Sequence, residues 1–236
     1  MLQLVSRRIF LAVTAGCIGS RSFSWGEGRA PAMLDHILLG CADLDQGIAF
    51  VEERTGIRAA FGGIHPGRGT RNALLSLGER RYLEIIAPDP GQPVLKQHSE
   101  IREMSAPRLI SWAAHPGDLD GVAQKLRSAG VAFVGPSPGS RKRPDGRVLN
   151  WRSLGLVDDR KGLLPFFIEW SRDSIHPATD SPSGCRLHEF GIAVPDPAGL
   201  TRLLTRIGID VPVEKGAQAQ LRARIIGPGG SLEASS

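Results

Sequence analysis

FGGIHPGRGTRNALLSLGERRYLEIIAPD, residues 61–89, sets the reading of the whole chain. A glycine-rich loop carrying His65, Arg68, Thr70 and Asn72 runs into two apolar stretches of strand character. The second, Arg81-Tyr82-Leu83-Glu84-Ile85-Ile86, sets Glu84 in the middle of an apolar run. A carboxylate there is costly to bury unless it is paired, binds a metal or lies on a face open to water. Gly67 and Gly69 let backbone approach a ligand or make a tight turn, and Arg68 and Arg71 would attract a carboxylate or phosphate. The Gly-Lys-Ser/Thr ending and following helix of a nucleotide-binding loop are missing.

Working outward, Leu34 to Ala42 is a short apolar run with His36 near its start. Asp43 or Asp45 suits a helix N-cap, Leu44, Ile48 and Val51 fall on one face, and Gly56 suits the stop. Leu34 to Ala87 therefore reads β-α-β-β-β. The pattern returns. Leu109 to Ala114 is apolar, and Asp118-Leu119-Asp120-Gly121-Val122-Ala123 echoes Asp43-Leu44-Asp45-Gln46-Gly47-Ile48-Ala49. After a loop rich in Pro, Gly and Arg over 137–147, strand-like runs cover 148–154 and 164–170, with Glu169 at the counterpart of Glu84. The basic run Ser140 to Asp145 reads as a solvated loop, or as a lid over an anionic substrate.

These echoes divide the chain into a leader (1–32), a first module (33–108), a second (109–172), a linker rich in Pro and Ser (173–186) and a partial third module (187–236). Alignment of the third copy on Asp196 puts Glu189, not His188, at the place of His36, so this copy reads as a structural extension of the sheet. The spacing is too irregular for a solenoid and fits duplication into a pseudo-symmetric sheet.

Leu34-Asp35-His36-Ile37, Gly62-Gly63-Ile64-His65-Pro66-Gly67-Arg68-Gly69-Thr70, Asn72, Leu74 and Tyr82-Leu83-Glu84 together resemble the glyoxalase-like domains of the vicinal oxygen chelate superfamily. The resemblance implies an α+β fold in which tandem βαβββ modules curl into a half-open barrel. It implies metal ligands on the first and last strands of each module: His36 and Glu84 from the first, Glu169 from the second. The fourth position falls near Ser111, a poor ligand for a transition metal, and His65 or His115 would have to complete the set. The cofactor implied is a divalent ion, Fe, Mn, Zn or Ni, chelating adjacent oxygens of a small-molecule substrate. Glu84 and Glu169 are the candidate bases, and His65, Arg68, Thr70 and Asn72 the candidate substrate contacts. Isomerase or lyase chemistry stands ahead of oxygenation, which in this superfamily generally uses two His and one Glu. The alternative is a metal-free protein that sequesters a small molecule. The superfamily permits a homodimer.

The composition is ordinary for a globular protein: 41% hydrophobic and 22% charged. The formal charge of +5 falls to +2 without the four Arg and one acid of residues 1–32, which argues against nucleic acid as a partner. Of the three Cys, Cys17 lies in the leader, and Cys41 and Cys185 read as buried thiols rather than a disulfide framework. Ser6-Arg7-Arg8-Ile9-Phe10-Leu11 resembles a twin-arginine export signal, followed by a short apolar segment and an Ala30-Pro31-Ala32 cleavage site. That resemblance implies a periplasmic or secreted protein with no stable membrane span after processing. Lipidation at Cys17, an organellar transit peptide, or a cytoplasmic form starting at Met33 are the competing expectations.

Overall fold

A computed structural model describes residues 30–92, 98–143 and 145–236. The leader motifs, Ser6 to Leu11 and Cys17, lie outside the described residues.

The first module comprises β1 (Leu34–Gly40), α1 (Leu44–Thr55), β2 (Ala60–His65), β3 (Thr70–Ser76) and β4 (Tyr82–Pro88). Asp43 caps α1 by accepting from the Gln46 amide, and Gly56 ends it at φ 78°, a conformation that favours glycine. Leu44, Ile48 and Val51 are its buried face, as their spacing predicts. The second module repeats the order with β5 (Arg108–Ala114), α2 (Leu119–Ser128), β6 (Phe133–Lys142), β7 (Val148–Leu156) and β8 (Phe166–Trp170). Asp118 caps α2 on the Gly121 amide, and Val122 and Leu126 are buried.

The two modules share one eight-stranded sheet, ordered β2-β3-β4-β1-β5-β8-β7-β6. β1 pairs with β4 in parallel and β5 with β8 in parallel, and the modules join through antiparallel β1 and β5. This is the α+β half-barrel the sequence predicts. β6 corrects the expected loop over 137–147. Ser137 to Lys142 pair with Val148 to Ser153. Prolines 136 and 138 are tolerated because β6 is an edge strand, where a missing N–H breaks no ladder on the open side.

The far edges of the curled sheet meet at Gly62-Gly63. A Cβ on Gly63 would stand 3.1 Å from the Lys142 carbonyl and 3.3 Å from Arg141 Cδ, and Gly63 has φ 139°. A Cβ on Gly62 would meet the Asn72 side chain. The double glycine thus lets β6 approach β2 across the seam.

α3 (Pro177–Asp180) lies in the linker, before β9 (Arg186–Val194), α4 (Pro197–Ile207), β10 (Val213–Lys215), β11 (Gln220–Gly227) and β12 (Gly230–Ser235). The last four strands form a separate sheet, ordered β10-β9-β11-β12. They do not extend the first sheet by hydrogen bonds. β9 pairs with β11 and β10 rather than with the last strand, so the segment lacks the first–last parallel pairing of the two modules. Phe190 packs edge-on against Trp112 at 5.2 Å, and one apolar core joins both sheets and helices α1, α2 and α4. Trp112, Phe167 and Phe190 are fully buried there, each contributing on the order of 2–3 kcal/mol by transfer from water. With this side filled, the opposite, concave face is left for a cavity.

Candidate metal centre and cavity

The concave face encloses a cavity of about 990 Å³. Strand alternation decides what reaches it. On β4, Leu83 and Ile85 go to the core while Tyr82, Glu84 and Ile86 line the cavity. The β1–β4 register sets His36 opposite Tyr82 and Leu38 opposite Glu84, so His36 and Glu84 are diagonal neighbours on one face. β3 brings Asn72 to the same face, and His65 at the end of β2 faces Thr70 across the hairpin.

Four predicted residues converge on Glu84 or on its partners. His36 Nε2 is 3.4 Å from Glu84 Oε2, and His65 Nε2 is 3.5 Å from Glu84 Oε1. Asn72 Nδ2 donates to Glu84 Oε1 at 2.6 Å. Thr70 Oγ1 is 2.8 Å from His65 Nδ1. Arg68 lines the cavity on the exposed hairpin turn, whereas Arg71 is not among the lining residues. His65 is therefore the second histidine, reached from a strand where the family pattern does not look for one. His115 does not join; its backbone N–H bonds Met33.

Glu169 departs from the expected set. Phe166, Ile168 and Trp170 line the cavity, and Phe167 enters the core, so Glu169 points to the helix-bearing face. There it meets Arg152 at 3.2 Å, which also binds Asp120 in the first turn of α2. The position on the concave face that corresponds to Glu84 is held by apolar Ile168. A one-residue offset in a strand reverses the face. Ser111, at the fourth position, does line the cavity. His188, Glu189 and Glu233 do not.

Behind His36 stands a second set of contacts that motif matching did not find. His36 Nδ1 is 2.6 Å from Asp35 Oδ1. Asp35 also takes His176 Nε2 at 3.1 Å and Trp170 Nε1 at 3.1 Å. His176 Nδ1 accepts from the Ala178 amide, so Nε2 is the nitrogen that carries the proton to Asp35. Burial alone would raise the Asp35 carboxyl; the bonds from His176 and His36 overturn that and hold it well below the usual range. Tyr82 stacks on the His36 ring at 4.4 Å, and burial, then Asp35 and Glu84, keep its phenol protonated. An ionised Asp35 accepts from Nδ1 and leaves His36 Nε2 turned to Glu84, the arrangement that orients metal-binding histidines in general.

Protonation at the centre follows the same logic. Burial pushes His65 down to about 4, against the pull of Glu84, and Arg141 and Arg68 lower it further. Burial also works against the Glu84 charge, but His65, His36, Arg141 and the Asn72 hydrogen bond outweigh it, so Glu84 titrates below its ordinary range. Near neutral pH a neutral His65 thus faces an ionised carboxylate, and Arg141 is the permanent cation beside it. Arg141 comes from β6 and donates Nη1 to Asn72 Oδ1 at 2.5 Å, bridging the seam. The expected solvated loop thereby supplies a buried site residue. Its neighbours Arg143 and Arg147 instead hold Asp180 of α3.

Among the described residues no three His, Cys, Asp or Glu side chains already stand at coordination geometry. The donors nevertheless fit a divalent metal. Two imidazole Nε2 atoms address opposite oxygens of one carboxylate, and each ring is anchored through its other nitrogen.

A family profile described as a glyoxalase-like domain matches residues 34–208. No curated protein matches the chain. Among solved structures, a hypothetical protein from Staphylococcus aureus superposes with a TM-score of 0.57 and 16% identity, over 86% of this chain and 84% of that one. A methylmalonyl-CoA epimerase from Streptomyces coelicolor has a TM-score of 0.43 and 21% identity, over 59% of this chain and 97% of its own. The Mycobacterium tuberculosis epimerase has a TM-score of 0.41 and 21% identity, over 64% and 94%. Only the first bears on the fold.

Proposed function

This chain belongs to the glyoxalase-like domain family, and from that premise we propose a divalent-metal-dependent enzyme acting on adjacent oxygens of a small substrate. The observation that carries the proposal is the approach of His36 and His65 to the two oxygens of Glu84. A metal held by these three would supply Lewis acidity to the substrate oxygens.

The chain's own residues do the rest. Asp35, His176 and Trp170 fix the His36 ring, and Thr70 fixes His65. Asn72 and Arg141 keep Glu84 ionised and oriented. A neutral His65 and an ionised Glu84 are in the protonation states that metal ligands require. Leu38, Ile86, Ile110, Phe166 and Ile168 make an apolar wall that limits water. Glu84 remains a candidate base as well as ligand, and Arg68 a candidate substrate contact at the cavity mouth. Glu169, held by Arg152 on the other face, takes no part.

Two reactions compete. Isomerase or lyase chemistry is what the family resemblance implies. Oxygenation gains support from the two-His, one-carboxylate donor set, which suits non-haem iron. Elemental analysis after reconstitution with Fe, Mn, Zn or Ni tests the centre. One equivalent of metal in wild type and Glu169→Ala, lost in His65→Ala and Glu84→Ala, supports it. Oxygen uptake by the iron form separates oxygenation from isomerisation. No metal in any form would leave the metal-free binding protein as the better reading.

We further propose export of the mature protein through the twin-arginine route. Retention in the cytoplasm on Arg7→Lys with Arg8→Lys would support it, and unchanged fractionation would sink it.

A further inference from the structure

Arg141 is a charged group that metal binding leaves unused. The residue is 4% exposed, and the one hydrogen bond of its side chain among the described residues goes to the neutral amide of Asn72. Its Nε has no partner. A buried guanidinium with a single neutral acceptor is costly to maintain. Its counter-charge is Glu84, at the far end of the Asn72 bridge. In one respect the inference rests on the proposed function: a dication at His36, His65 and Glu84 would neutralise that carboxylate and leave Arg141 uncompensated. Arg68, Arg108, Arg160 and Lys161 also line the cavity, and none has a hydrogen bond or ion pair for its side chain among the described residues. Trp151 and Trp170, with centroids 5.5 Å apart, form an aromatic wall on the same cavity.

We propose that Arg141 docks an oxyanion carried by the substrate, which is a small, flat, apolar molecule bearing a carboxylate or a phosphate. A guanidinium suits either group because its N–H donors form a planar fork. The aromatic wall takes the body of the molecule, and the rim cations attract it to the mouth.

The test uses the full chain stripped of metal with a chelator, so that it does not depend on the metal reading. Benzoate, phenyl phosphate and neutral benzamide are titrated while tryptophan fluorescence and heat are followed. At least one anion is expected to bind at millimolar concentration or better, and benzamide to bind at least tenfold more weakly. Which anion binds distinguishes a carboxylate from a phosphate site. Arg141→Gln is expected to weaken the anion about tenfold or more, and Arg141→Lys less. Glu84→Gln is expected to tighten the anion, because it removes the negative charge facing Arg141. That gain would not follow from a merely structural role, and it carries the test if Arg141→Gln fails to fold. Equal binding of benzamide and the anions, binding unchanged in Arg141→Gln or in Glu84→Gln, or no binding of any probe would overturn the proposal. Absence of metal in wild type would sink the metal centre and leave this result readable.

Discussion

The two modules share a strand order and divide the work unequally. In the first, the concave positions of the outer and inner strands carry His36, His65, Asn72 and Glu84. In the second, the matching face carries Ser111, Ile168, Phe166 and Trp170. The first module supplies donors; the second supplies wall and most of the lining cations, Arg141 the buried one among them. Duplication of a backbone therefore did not duplicate the chemistry. The second carboxylate survives in sequence position but stands on the other side of the sheet, serving Arg152 and α2.

The largest effect should come from the residue that most separates the modules. Glu84→Ala is expected to abolish stoichiometric metal binding, while Glu169→Ala leaves it intact; elemental analysis of both folded variants checks this. Equal losses would restore the symmetric site.

Acid should weaken the shared fold through a residue of the first module. Unfolded His65 takes up a proton near 6.5, whereas the folded ring does so only near 4. Between those values the unfolded state holds more protons, so stability falls as pH drops from about 6.5 towards 4. The loss approaches about 3 kcal/mol for this group. Urea unfolding of metal-free protein should show that slope, and His65→Gln should flatten it. A comparable slope in the variant would assign it elsewhere.

Asp35→Asn sharpens the comparison further, because the second module has no equivalent of the Asp35–His36 pair. It is expected to weaken metal binding about 10–100-fold, read by competition with a chelator. The smallest effect belongs to Glu169→Gln. A partly exposed ion pair contributes about 0.2–1 kcal/mol, so thermal unfolding should barely move.

Much of this architecture was legible. Of the two expected caps, Asp43 and Asp45, Asp43 takes the place, and the echoed Asp118 and the aligned Asp196 cap α2 and α4 in the same way. His36 and Glu84 were legible because the motif around them is dense. Glu169 misled because counting residues from a motif does not fix which way a strand faces. Arg141 hid in a Pro- and Arg-rich stretch that propensity reads as loop, and only its place at a sheet edge makes it strand. Ser140-Arg141-Lys142 alternates exposed, buried, exposed, a signal usable only once a strand is assumed. Asp35 was visible as an acid in an apolar run, but nothing nearby in sequence named its partner. His176 lies 141 residues away.

That last separation has a consequence for modular transplantation. The sheet is complete at Trp170, yet the acid behind His36 is finished by the connecting segment that follows, and Asp180 of the same segment ties down Arg143 and Arg147. A chimaera that kept both modules and the C-terminal sheet but replaced residues 173–184 with a Gly/Ser tether would preserve the architecture and lose the tuning. The unit that must be inherited together is longer than the unit that folds as the half-barrel.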